Sequence, residues 1–282
     1  MCGRPAITAY PGAVTTETDP ARWIDVLAGS HDRICDLVGE LDATALGLPS
    51  RCSDWSIAQV LSHLGSGAEI FTLMLDAVVA GEPTPGREVM PPIWERWNGL
   101  PPVEQAEAFL ATDGRLIERL ENLGDRLDNL TFTFFGVMQL DAVGALGMRL
   151  SEHAVHTWDV AAALDPAATV DPDAVALLVD RLPDVVERSG RAEAAPPGMG
   201  PVSVTTSDPE RHYVLTLDGG VHLGEVEAAG EAHGETDGAP LRLPAECLLR
   251  LVYGRLDPGR TPHLDKSSAA IVDSLRGVFP GI

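Results

Sequence analysis

The residues with the clearest chemical potential are a glutamate and a histidine in the segment SEHAVHTWD, residues 151–159. Glu152 and His156 are four residues apart, so on a helix their side chains project from the same face. A carboxylate and an imidazole at this spacing suit two coordination positions on one divalent metal ion. Ordinary surface pairs have the same spacing, so the pattern alone leaves both interpretations open.

A third candidate ligand, His63, lies in the apolar run VLSHL, which is typical of a helix in a protein core. In an antiparallel bundle this helix can face the one that carries Glu152 and His156. His153 is rotated by about 100° from Glu152 on its helix, so it is not expected to join them. A single histidine on a helix is also commonly a residue whose hydrogen bonds are satisfied or a surface residue, which is the alternative for His63.

Two kinds of neighbour accompany these candidates. Asp159 follows His156 by about one turn, on a similar face. It could orient a metal-binding histidine or only complete a local hydrogen bond. Trp55 and Trp158 are interpreted most simply as core residues.

The elements that position these residues are predicted to be helices. Apolar spacing predicts long helices at about residues 18–41, 53–81, 103–122 and 138–164. Four amphipathic helices with short or moderate links predict an antiparallel four-helix bundle. Residues 1–18 are predicted to be an irregular lead-in, and a further helix is predicted from 171 to about 187.

The composition changes near residue 190, where AAPPG at 194–198 is typical of a hinge. The next segments, at about residues 202–206 and 212–217, alternate as strands do. Two more helices are predicted, at about 243–254 and 266–278. The predicted fold class is therefore α+β, with a helical bundle over residues 1–189 and a smaller α+β domain over residues 190–282.

Charge and composition exclude several classes of partner. The chain has 42 acidic and 20 basic residues, a net charge of −22, and its basic residues are scattered. Such a surface repels phosphate backbones, so nucleic acid is not a predicted partner. No segment approaches the roughly 20 apolar residues that a membrane helix requires, and the N-terminus resembles no targeting signal. The predicted location is the cytoplasm.

The cysteines are too far apart for a paired CxxC motif. In a cytoplasmic chain, cysteines scattered in this way are usually reduced and buried. We therefore predict neither a disulfide nor a catalytic thiol among Cys2, Cys35, Cys52 and Cys247.

Three segments together resemble a known family. CSDWSIAQVLSHL at 52–64 resembles the signature C-x-x-W-[ST]-[VI]-x-x-[VL]-x-x-H-L of mycothiol-dependent maleylpyruvate isomerase-like proteins, which belong to the DinB-like superfamily. EHAVHTWD at 152–159 is similar to that family's E-x-x-x-H-x-W-D, and PAECLLRLVYGR at 244–255 resembles its C-terminal motif. The three matches follow the family's order and span nearly the whole chain.

The resemblance implies a DinB-like four-helix bundle that holds zinc, or a similar divalent metal, through His63, Glu152 and His156. It implies mycothiol as the thiol cosubstrate and a C-terminal α/β domain whose Arg255 reaches the active site. Arg255 would then bind cofactor or substrate and act in catalysis together with His63. The alternative for Arg255 is a structural arginine at the end of a helix.

Three protein ligands leave a position open, as in working zinc sites. A thiol bound there is favoured as its thiolate. The main hypothesis is an S-transferase whose thiolate attacks a small electrophile, in detoxification or natural-product biosynthesis. It is favoured because residues 83–102 and 223–242 match no motif of the family, which suggests a different substrate.

Two other functions stay open. The first is a mycothiol-dependent cis–trans isomerase of a maleylpyruvate-like diacid. The second is a non-catalytic metal-binding regulator, although such regulators usually have thiol ligands close together in sequence, and these are absent here.

Overall fold

The computed structural model describes residues 17–52, 54–134, 136–226 and 240–281. These residues divide into two compact units, one from Thr18 to Leu178 and one from Val179 onward. The sequence-based boundary, between residues 189 and 190, lies later than this division. The reason is that the helix Leu182–Ser189 packs against the strand His222–Glu225 of the second unit. Residues 1–16 of the predicted lead-in lie outside the described residues.

The first unit is a helical bundle with one small hairpin. Its elements are α1 (Pro20–Val38), α2 (Ala43–Leu46), α3 (Ile57–Ala80), α4 (Met90–Asn98), α5 (Pro102–Glu121), β1 (Thr131–Phe134), β2 (Met138–Asp141), α6 (Ala142–Leu164) and α7 (Pro172–Leu178). Helices α1 and α3 each pack against both α5 and α6. The four long helices thus form the predicted four-helix bundle.

The two helices that carry the candidate ligands begin at well-defined caps. At the start of α3, the Ser56 side chain accepts a hydrogen bond from the backbone N–H of Gln59, and the Gln59 side chain accepts one from Ser56. At the start of α6, the Asp141 side chain accepts from the backbone N–H of Gly144 at 2.7 Å. The predicted start of this helix, at 138, is wrong because Met138–Asp141 pairs with β1 as a strand.

Helix α3 is apolar because it lies in the core of the bundle. Contrary to the sequence-based expectation, it is long and apolar enough to cross a membrane by length and composition, and it is the one such helix among the described residues. Ile57, Leu61 and Leu64 on this helix are completely buried among residues of the bundle. Gly65 allows α4 to approach closely, since a Cβ atom there would stand 2.3 Å from the ring of Trp97.

The second unit contains a four-stranded sheet and three helices among its described residues. Its elements are α8 (Leu182–Ser189), β3 (Val202–Ser207), β4 (Arg211–Thr216), β5 (His222–Glu225), β6 (Leu241–Pro244), α9 (Ala245–Val252) and α10 (Lys266–Leu275). The strand order is β5-β4-β3-β6, with β3 and β6 parallel and the other pairs antiparallel. The predicted α+β class is confirmed.

Two details of the second unit differ from the prediction. The helix predicted from 171 to 187 is interrupted and contributes α7 to the first unit and α8 to the second. Strands β5 and β6 were not predicted, because each has only four residues and therefore shows little alternation. Within the segment 223–242, which matches no motif of the family, residues 227–239 lie outside the described part of the chain.

Candidate metal centre

His63 of α3 meets Glu152 and His156 of α6 where the two helices face each other. The ligand atoms of the three side chains all lie within 4.8 Å of one another. The Nε2 atom of His63 lies 2.9 Å from Oε2 of Glu152, and Nε2 of His156 lies 3.7 Å from the same oxygen. The structure therefore brings together all three residues that the sequence singled out as ligands.

The chemistry and spacing of the cluster fit a divalent metal ion. Two atoms that each bind a tetrahedral zinc ion at about 2.0–2.1 Å stand about 3.3 Å apart, which lies between the two measured separations. The side chains of His63 and Glu152 are 36% and 46% exposed, whereas that of His156 is 10% exposed. The cluster is thus reachable from solvent by a further ligand. Two imidazoles and a carboxylate accept zinc and also other divalent ions.

The electrostatics keep the glutamate charged. Burial raises the pKa of Glu152, but the close approach of His156, the hydrogen bond from His63 and the charges of both imidazoles outweigh it and hold the pKa well below its usual range. Burial lowers the pKa of His156, but the hydrogen bond to Asp159 and the nearby negative charge of Glu152 outweigh it, so the net shift of the pKa is upward. Because a metal ion binds the neutral imidazole, it must compete with a proton at His156.

The carboxylate of Asp159 forms a hydrogen bond with the second ring nitrogen of His156. Its Oδ2 lies 2.9 Å from Nδ1 of His156, and Asp159 is completely buried. A carboxylate at Nδ1 favours the tautomer that carries the proton there, which leaves Nε2 as the lone-pair nitrogen toward Glu152. Cys52 lies beside this pair, with its Sγ within 4.8 Å of the nearest ligand atoms of His156 and Asp159. Cys52 begins the family signature at 52–64, but no spacing in the sequence predicts its position beside His156 and Asp159.

Trp55 forms an aromatic wall beside both histidines. Its ring centroid lies 5.1 Å from that of His63 and 6.1 Å from that of His156, and the planes of the Trp55 and His156 rings are inclined by 28°. The side chain also packs against the buried core, as predicted. Trp158 is a core residue whose indole N–H donates to the carbonyl of Ala168 at 3.0 Å.

His153 faces away from the cluster, as the helical rotation predicts, and belongs to a second polar group. Its Nε2 lies 3.0 Å from Oδ2 of Asp113 on α5, and the same oxygen lies 2.7 Å from Nδ1 of His31 on α1. Arg149 of α6 also donates to the Asp113 carboxylate. Sequence reasoning missed this group, because its members come from three helices and only Arg149 and His153, four residues apart on α6, share a local spacing.

Arg255 belongs to the second unit, directly after α9. Its guanidinium Nη1 donates to the carbonyl of Tyr253 at 2.7 Å, and its backbone N–H donates to the carbonyl of Arg250. The catalytic and cofactor-binding roles of Arg255 therefore remain predictions.

Comparison with known proteins supports the resemblance drawn from the motifs. Residues 27–161 match the family model described as the mycothiol maleylpyruvate isomerase N-terminal domain. Two curated relatives from Mycobacterium tuberculosis, "Uncharacterized protein Rv0738" of strain H37Rv and its counterpart in strain CDC 1551, are each 26% identical over 175 residues. The match covers 61% of this chain and 79% of each relative.

Two solved structures share the fold. They are a crystal structure of the mycothiol-dependent maleylpyruvate isomerase and one of a histidine-to-alanine mutant of that enzyme. Each superimposes with a TM-score of 0.62 and 13% sequence identity, over 86% of this chain and 92% of the other. At this identity the likeness establishes the architecture alone.

Proposed function

We propose that the protein is a metal- and mycothiol-dependent cis–trans isomerase of a small diacid resembling maleylpyruvate, and the proposal starts from the match of residues 27–161 to the mycothiol maleylpyruvate isomerase N-terminal domain model. The observation that carries the proposal is the meeting of His63, Glu152 and His156 in one solvent-accessible cluster. The match of residues 27–161 to a family model that is named for this reaction supports the same reaction class.

The three clustered side chains would hold the metal, which lowers the pKa of a bound thiol and so supplies a thiolate at neutral pH. Glu152 contributes a negative charge that partly offsets the charge of the dication. Asp159 fixes the orientation of His156 through its Nδ1. Trp55 covers one side of both imidazoles and limits the approach of water there.

The proposed reaction needs a nucleophile that leaves again. The mycothiol thiolate adds to one carbon of the conjugated cis double bond, and the electron pair moves onto the adjacent carbonyl oxygen. Rotation about the new single bond follows. The electron pair then returns, the carbon–sulfur bond breaks, and the trans isomer leaves with the thiolate restored. Arg255 is proposed to pair with a substrate carboxylate in the forked geometry that arginine favours.

In the S-transferase hypothesis the same thiolate attacks the substrate, but the new carbon–sulfur bond persists in the product. The comparisons favour the isomerase, because both the family and the solved structures of this fold carry that name. The strongly acidic composition suits small-molecule partners rather than nucleic acid. A cytoplasmic location remains part of the proposal.

Counting the free thiol during the reaction distinguishes isomerisation from S-transfer. Zinc-loaded protein is mixed with mycothiol and maleylpyruvate, the product is followed by proton NMR, and free thiol is counted in parallel. Isomerisation predicts the trans product with no loss of thiol, whereas S-transfer predicts one thiol lost for each product molecule. Glu152→Gln should be inactive, and Glu118→Gln, at an exposed position of α5, should match the wild type. Metal-loaded protein that binds mycothiol but leaves the diacid unchanged would contradict the isomerase.

A further inference from the structure

The second polar group lies in the interior of the bundle, and we name it the polar hub: His31, Asp113, Arg149 and His153. Asp113 and His153 are completely buried, and Arg149 is only 5% exposed. The Asp113 carboxylate makes hydrogen-bond contacts with three side chains. They are Nδ1 of His31 on α1, and Nε2 of His153 and the guanidinium of Arg149 on α6. One carboxylate of α5 therefore joins three helices.

Arg149 extends the hub to the fourth helix. Besides contacting Asp113, its Nη2 donates to the backbone carbonyl of Leu64 on α3 at 3.1 Å. Leu64 is the residue directly after His63, and Arg149 precedes Glu152 by three residues on α6. The hydrogen bond to Leu64 thus joins the main chain beside one candidate ligand to the helix that carries the other two.

Two other roles for the hub do not agree with its chemistry. His31, Asp113 and His153 have the separations of metal ligands, but the buried guanidinium of Arg149 already balances the Asp113 carboxylate and would repel a dication. Ser30, His153 and Asp113 are ordered like a nucleophile and its base, with Ser30 Oγ 2.8 Å from Nδ1 of His153. Ser30 is only 2% exposed, however, so a substrate has no access to it.

Stability alone is a weak reason for such a hub. A buried ion pair can often be replaced by apolar residues of similar volume without loss of stability. The Nε of Arg149 is also buried without a hydrogen-bond partner among the described residues, which is an unfavourable state for a donor. The guanidinium makes a contact that an apolar side chain cannot make, namely the one with the Leu64 carbonyl.

We propose that Arg149, held by Asp113, is a positioning residue that sets α3 against α6 and thereby fixes the distance from His63 to Glu152 and His156. The inference rests on the proposed function, because it concerns the same three ligands. A bond to a main-chain carbonyl restrains the helix itself and not just one side chain. Ligand sets need placement to within about 0.5 Å, so a small slip of α3 is enough to weaken metal binding.

The test removes the link without leaving a buried charge unpaired. In the double variant Asp113→Asn/Arg149→Met both charges disappear, and the asparagine oxygen can still accept from His31 and His153. The matched control is Asp76→Asn/Arg119→Met, which makes the same substitutions in an exposed ion pair between α3 and α5. Zinc affinity is measured by chelator competition, folding by thermal unfolding, and the metal-free geometry by crystallography.

We expect the double variant to fold like the control, to bind zinc at least about tenfold more weakly and to show a His63 Nε2 to Glu152 Oε2 separation well above the 2.9 Å of the native chain. Arg149→Lys keeps a charge opposite Asp113 but cannot readily span both acceptors, so it should give an intermediate affinity. This milder variant decides the matter if the double variant does not fold.

The possible results separate the two proposals. Wild-type zinc affinity together with an unchanged separation in the variants would overturn the positioning role and leave the proposed function intact. If the wild type itself binds no metal, the proposed function fails. In that case the crystallographic distance from His63 Nε2 to Glu152 Oε2 tests the positioning role by itself. An unchanged distance in the variants overturns that role, and a widened distance supports it.

Discussion

The Nδ1 atom of His156 lies 2.9 Å from the Oδ2 atom of Asp159, three residues later on the same helix. This pair presents the opposite nitrogen, Nε2, to Glu152 and His63. The orientation of His156 is therefore set from within α6, before any metal binds.

Replacement of Asp159 should weaken metal binding. Partners that orient a metal-binding histidine typically contribute about 10- to 100-fold to metal affinity, and we expect a loss in that range for Asp159→Ala. Asp159→Asn keeps an oxygen that can accept from Nδ1, so its loss should be smaller. Chelator competition with zinc measures both variants against Glu118→Gln. Equal affinity in Asp159→Ala and wild type would show that the pair does not orient His156.

The close approach of α3 and α4 should make Gly65 sensitive to a single methyl group. A Cβ atom at Gly65 would stand 2.3 Å from the Trp97 ring, and overpacking of this kind costs about 1–3 kcal/mol. Because alanine also gains up to about 1 kcal/mol of helix propensity, Gly65→Ala should lower the free energy of unfolding by a net amount of up to about 2 kcal/mol, as measured with urea. The control is Gly29→Ala on α1, where the methyl group meets nothing within 4 Å. Helix propensity predicts a gain of up to about 1 kcal/mol there, and a loss at Gly29 as large as that at Gly65 would contradict the packing argument.

Asp113 should make stability depend on pH in the acid range. Burial raises the pKa of Asp113, but the charges of His153 and Arg149 and the hydrogen bonds from the histidines outweigh it and hold the pKa well below its usual value. Below about pH 4, the unfolded chain binds a proton that the native chain does not bind, so the free energy of unfolding falls as the pH falls. The contribution of Asp113 is complete above about pH 5.

Asp113→Asn removes this titration and leaves Arg149 without its counter-charge. Its loss of stability, about 3–5 kcal/mol for a broken buried pair, should therefore be largest at neutral pH and shrink as the pH falls below about 4. Urea unfolding of both proteins from pH 3 to pH 7 measures the difference. A difference that stays constant over this range would mean that the native pKa of Asp113 is not lowered.

Cys247 should be inert in the folded protein. Burial, assisted by the charge of Glu246, raises the pKa of its thiol to about 12, and the side chain is only 2% exposed. A thiol reagent at pH 8 should therefore modify the half-buried Cys52 before Cys247 and reach Cys247 only in denaturant. Mass spectrometry of digested protein assigns the modified residues, with Cys247→Ser as the reference. Rapid labelling of Cys247 in native protein would contradict its burial.

The sequence predicts those parts of the molecule that depend on local spacing. The apolar periodicity of α1, α3, α5 and α6 predicts the bundle, and the separation of Glu152 and His156 by four residues places both on one face of α6. His63 was connected to them through its apolar surroundings and the family resemblance. Its 2.9 Å contact with Glu152 depends on how α3 packs against α6, which no local pattern specifies.

The polar hub shows why the rest could not be predicted. His31, Asp113 and Arg149 lie on three helices, and each alone is typical of an exposed helix face. Their mutual contacts offset the free-energy cost of removing these charged groups from water only after the helices have packed. The predicted boundary at residue 190 lies later than the division at Leu178 for a related reason, since α8 continues the helical pattern of α7 while its packing partners lie in the second unit.

Calorimetric titration of mycothiol into zinc-loaded protein tests the central claim most directly, with a chelated sample and Glu152→Ala as controls. The account predicts one saturable mycothiol site per zinc ion, and the binding should be lost after chelation and weakened by at least about 10-fold in Glu152→Ala. A protein that holds one zinc ion but binds no mycothiol would contradict the account, as would mycothiol binding that persists unchanged after the metal is removed.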